Sequence, residues 1–92
     1  TPPTSVVFRY RPEAPLTARS CSVVGNFNGW DPLADSMNAQ EDGGFWLKMD
    51  LLPGTYEYKF VVDQNQWIPD PLAQERTSDG YWGHNSILRL KG

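Results

Sequence analysis

A chain of 92 residues has room for one hydrophobic core and no second domain. Hydrophobic residues at 39% and charged residues at 21% describe a folded globular segment and exclude a disordered one. The net charge is -3 and the 8 Lys and Arg are scattered, which argues against nucleic acid, while no apolar run approaches the ~18 residues that cross a bilayer, which argues against a membrane.

Cys21 is the one cysteine, so an internal disulfide and a cysteine-rich zinc site are both excluded. Its setting, "SCSVV", reads as strand and suggests a small buried thiol. The chain opens at Thr1 without methionine and reads as an excised part of a longer protein, with residues 1–92 forming one domain and 1–4 a tail. No signal-peptide pattern opens it, which favours the cytoplasm over secretion.

Sustained helical periodicity is absent, and short β-rich runs recur between clusters of Gly, Pro, Asn and Asp. "SVVFRY" (5–10) is the first expected strand and "ARSCSVVG" (18–25) the second, with a third, shorter segment near 33–37. In "FWLKMDL", Phe45, Leu47, Met49 and Leu51 alternate with Trp46, Lys48 and Asp50, so the first set is assigned to the core. "LPGT" (52–55) supplies a turn. In "YEYKFVV", Tyr56, Tyr58, Phe60 and Val62 share one face and Glu57, Lys59 and Val61 the other. "DQNQ" turns the chain into a brief strand at Trp67, and "IPDP" ends pairing because proline has no ladder donor. "NSILRL" (85–90) is the last strand. Six to eight short strands predict an all-β, immunoglobulin-like sandwich of early-set type, without the disulfide.

The aromatic residues fall in telling places. Trp30 follows "NFNG" in a turn, Trp67 lies just beyond another turn, and Tyr81 and Trp82 sit in "SDGYWGHN". Loops run over surfaces, so these rings are candidates for exposure. A flat apolar ring with polar neighbours suits a sugar, whose C–H groups stack on the ring while its hydroxyls bond beside it. Lys59 and Asn85 are suitable hydrogen-bonding types. Tryptophans near turns also cap the open ends of sandwiches, strand lysines are commonly solvated, and Trp46 is equally open to packing beneath a loop.

The series "VVGNFNGWDP", "LPGTYEYKFVVD", "QWIPDP" and "HNSILRL" resembles carbohydrate-binding module family 48, in order and over residues 6–90. That family includes the glycogen-binding domain of the AMP-activated protein kinase β subunit and N-terminal domains of branching enzymes and isoamylases. The resemblance implies a sugar platform of Trp30 and Trp67 stacking on glucose units, with Lys59 and Asn85 bonding to hydroxyls. Tyr81 and Trp82 are candidates to extend it. Two departures stand out: "VVDQNQW" carries one residue more than the kinase subunit's hairpin, and "GYWGH" places aromatics where that subunit has an aliphatic residue.

Catalysis is not expected. The chain has one His, no Gly-rich loop before a helix and no cluster of metal ligands, and its acids fall mainly in turns, Asp31 and Asp70 each preceding a proline. His84 is assigned a structural or peripheral role. The expected function is non-catalytic binding of α-glucans (glycogen, starch or malto-oligosaccharides) with no cofactor and no metal, carrying a parent enzyme or regulator to polysaccharide. A catalytic domain of glycoside hydrolase family 13 type in the same parent chain is a further expected partner. The alternatives are a docking domain of an α-glucan enzyme that binds no sugar, and an adaptor subunit of a kinase or phosphatase.

Overall fold

The computed structural model describes residues 2–12, 18–64, 66–80 and 83–91. Among the described residues, eight strands fall in two antiparallel sheets: β1 (Thr4–Tyr10), β2 (Cys21–Gly25), β3 (Asn38–Ala39), β4 (Phe45–Leu51), β5 (Gly54–Val62), β6 (Gln66–Ile68), β7 (Glu75–Ser78) and β8 (His84–Leu90). One sheet runs β1-β4-β3; the other runs β2-β5-β8-β7, with β6 also paired to β5. The architecture is the expected sandwich, and the free thiol of Cys21 is buried in it.

The core follows from alternation. Tyr58, Phe60 and Val62 of β5 and Cys21 and Val23 of β2 meet Phe8, Phe45 and Leu51 of the facing sheet. Tyr58 meets Phe8 edge to face at 5.1 Å, and Tyr10 lies 5.2 Å from Phe60. Such ring pairs add to the area they bury. A buried tyrosine must still satisfy its hydroxyl, and Tyr58 donates to Asp70 Oδ2 at 2.6 Å. Asp70 in turn donates its N–H to the Oγ of fully buried Ser86 at 2.7 Å. The chain that leaves the sheet at "IPDP" is thereby tied back to β5 and β8.

Several boundaries differ from the sequence reading. β1 begins at Thr4, the last residue of the expected tail. Within the run 18–25 the strand begins only at Cys21, and β5 starts at Gly54 inside the expected turn. Residues 33–37 form no strand. Asp31 Oδ1 accepts the Leu33 N–H at 2.9 Å and Asp31 O accepts the Ala34 N–H at 3.2 Å, so local turn bonds win, leaving a lone Ser22–Ser36 bridge before β3. β7, "ERTS", is a strand with no alternating apolar pattern in its sequence.

Candidate functional site: a tryptophan-walled depression

The site lies on the side of the larger sheet that faces away from the core. Register puts Val24 opposite Lys59 and Val61 opposite Trp67, so all four share that side. On β8, Ser86 pairs with Tyr58 on the core side, which turns Asn85 outward beside Lys59. Val24 and Val61 belong to this outer face yet are 0% and 1% exposed, so it carries its own apolar layer.

The turn "GNFNGW" brings the remaining ring. Asn28 organises it: its Oδ1 accepts the Gly25 N–H at 3.0 Å, and its Nδ2 donates to Val23 O at 3.0 Å and Asp35 Oδ2 at 2.8 Å. Gly25 O accepts the N–H of both Asn28 (3.1 Å) and Trp30 (3.0 Å). The chain then passes through two left-handed residues, Gly29 with φ 70° and Trp30 with φ 60°. Glycine takes that conformation freely, whereas a tryptophan there is strained and must be held by its surroundings. Gly25 is needed for another reason, since a Cβ at this position would lie 2.4 Å from Glu57 O and 2.6 Å from the Phe27 ring. Phe27 anchors the turn by stacking on Phe8 at 5.9 Å.

Trp30, Lys59, Trp67, Asp79 and Asn85 line one open depression of about 360 Å³. The four residues singled out in the sequence are thus brought to a single place, with Trp67 at 45% exposure and Trp30 half-buried. Val62 pairs with Gln66 and Val61 with Trp67 across the β5–β6 hairpin, so the ladder still fixes Trp67 despite the longer connection. Trp46 is apart from them, on the outer face of the other sheet between Arg9 and Asn38. Tyr81 and Trp82 lie outside the described residues.

Two acids complete the arrangement. Lys59 Nζ is ion-paired with Asp79 Oδ2, and the two side chains are only 12% and 11% exposed. Asp79 also closes the loop to the last strand: its Oδ1 accepts the Gly83 N–H at 3.1 Å, and its own N–H donates to Gly83 O at 3.2 Å. Asn85 Nδ2 donates to Glu57 Oε1 at 3.2 Å. Alternation alone placed Glu57 on the Lys59 side of β5, but no sequence signal tied Asp79 to a lysine 20 positions away.

Chemically the depression offers two indole rings, an ammonium held by a carboxylate and an amide held by another carboxylate. It can stack on a flat, hydroxyl-bearing ligand and hydrogen-bond at its rim. Among the described residues no group of three or more His, Cys, Asp or Glu is placed to hold a metal ion. Asp31 and Asp70 each accept an N–H two residues on, from Leu33 and Leu72, as turn acids do.

The chain is thus a β-sandwich without a disulfide, with an open, aromatic-walled depression on one sheet face. The model of the glycogen recognition site of AMP-activated protein kinase matches residues 4–89, and the chain belongs to that family of carbohydrate-binding modules. It is a binding module rather than an enzyme. Protein PTST homolog 2, chloroplastic, of Arabidopsis thaliana is 43% identical over 80% of this chain, and Protein FLOURY ENDOSPERM 6, chloroplastic, of Oryza sativa subsp. japonica is 39% identical over 74%. The matched segments are 13% and 12% of those relatives' lengths. A 1,4-alpha-glucan branching enzyme GlgB of Myxococcus xanthus is 38% identical over 64% of this chain and is covered over 8% of its own length. The fold also matches part of a maltogenic amylase from S. marinus, with TM-score 0.74 and 22% identity, covering 96% of this chain and 14% of that one.

Proposed function

We propose that this domain binds α-1,4-glucans on the depression between Trp30 and Trp67, and so brings a longer parent protein to glycogen or starch. The tryptophans stack on glucose rings, while Lys59 and Asn85 bond to hydroxyls. The observation that carries this reading is the convergence of Trp30, Lys59, Trp67 and Asn85 on one exposed depression. Membership of a glycogen-recognition family supports the ligand class.

Small open platforms bind weakly, so Kd for soluble oligosaccharides is expected on the order of 10 µM to 1 mM. Titration with maltoheptaose, followed by tryptophan fluorescence and by calorimetry, tests it. Saturable binding supports the platform. No binding at millimolar oligosaccharide, with no retention on glycogen, replaces it with a docking role.

A further inference from the structure

Lys59 is the one cation among the described residues lining the depression, and it does not face the ligand alone. Asp79 neutralises it within a pair that is almost out of solvent. Glu57 adds a second carboxylate behind Asn85. An anionic ligand entering here would meet one ammonium already spent on a carboxylate and further negative charge nearby.

We infer that Asp79 is a specificity-determining residue that restricts the site to uncharged glucan and turns away glucan carrying phosphate or carboxylate groups. The inference rests on the glucan-binding reading above. Physically, the carboxylate fixes the Lys59 ammonium so that its remaining N–H donors meet neutral hydroxyls, and it cancels the field that would draw in an anion. Its second oxygen is held by the Gly83 N–H, so it cannot swing aside to release the lysine without opening the loop to β8.

The experiment compares maltoheptaose with a phosphorylated maltoheptaose on the wild type, on Asp79→Asn and Asp79→Ser, which remove the charge, and on Asp79→Glu, which keeps it. The wild type is expected to prefer the neutral chain. Both neutral variants lose the partner that fixes Lys59, so they should bind maltoheptaose more weakly than wild type, and they should shift the neutral-to-phosphorylated ratio by about tenfold toward the anion. Asp79→Glu should retain the wild-type ratio. Asp50→Asn, on the outer face of the other sheet, controls for net charge and should leave the ratio unchanged. A ratio unmoved by the neutral variants, or moved equally by Asp50→Asn, overturns the assignment while leaving glucan binding intact. Failure of both neutral variants to fold makes Asp79 a fold residue and also overturns it. A wild type that binds no maltoheptaose removes the glucan reading and this one with it.

Discussion

Asn85 Nδ2 donates to Glu57 Oε1 at 3.2 Å, from the second residue of one strand to the middle of its neighbour. A carboxylate can only accept, so Glu57 dictates which end of the amide it receives and leaves the Asn85 carbonyl oxygen as the end directed to other partners. Glu57→Gln restores a donor and frees the amide to turn over. That variant should lose about 0.5–1 kcal/mol of maltoheptaose affinity and little stability, and Asn85→Ala about 1 kcal/mol or somewhat more of affinity. Calorimetry on both checks it; a larger loss for Glu57→Gln than for Asn85→Ala would place Glu57 itself against the sugar.

Lys59 has a structural duty beside any binding role. Lys59→Ala is expected to weaken glucan binding by about 1 kcal/mol and to cost about 1–3 kcal/mol of stability, because it leaves the Asp79 carboxylate poorly solvated and without its counter-charge. Removing both charges in Lys59→Ala/Asp79→Ala should recover part of the stability. Urea denaturation of the two variants measures the difference, and additive losses in the double variant would mean that the pair carries no coupling.

Trp30→Ala should abolish measurable glucan binding, since truncating a central aromatic contact costs about 2 kcal/mol or more at an already weak site. Trp67→Ala should do the same. The half-buried Trp30 leaves a stability loss well below the roughly 3–5 kcal/mol of a fully buried tryptophan. The backbone adds a sharper expectation: at φ 60° glycine is unstrained, so Trp30→Gly should be as stable as Trp30→Ala or more so, by up to about 1 kcal/mol. A collapse of the folded state in all three variants would show that the rings are structural.

The alkaline limb of stability is set in part by Cys21. Burial, with a smaller contribution from Asp63, pushes its thiol from 9.0 up to about 12. Tyr58 moves the same way through burial and its bond to Asp70. The unfolded chain therefore gives up these protons at lower pH than the folded one, and stability should fall as pH rises from about 9 toward about 12. Unfolding midpoints at successive pH values check the sign. Native Cys21 should also resist alkylation at pH 8 and react once the chain is denatured.

The strands that showed in the sequence are those with one face to bury. β4 and β5 alternate because each has a core side and an outer side, and their apolar sets meet in the core cluster. β7 was silent because it pairs with β8 alone and its four residues have little to bury. The segment 33–37 carried apolar residues but lost to the Asp31 turn, leaving Leu33 75% exposed. At the site, Lys59 was legible from alternation and Trp30, Trp67 and Asn85 from motifs. Asp79 was not, because its role depends on a loop closing onto Gly83 and on a lysine in a different strand.

All four of those residues take their positions from one strand. β2, which leads to Trp30, lies along one edge of β5; β8 and β6, which carry Asn85 and Trp67, follow each other along the opposite edge; Lys59 belongs to β5 itself. Backbone hydrogen bonds to β5 therefore act as a ruler, graduated in steps of about 3.3 Å, against which the separation of the two indoles is set. Lengthening the connection after β5 or before β8 changes the rim but not the graduation, so the loops there can vary while the sheet keeps its spacing. A one-residue slip within β5 would do the opposite, sending Lys59 inward and a core ring outward in a single stroke.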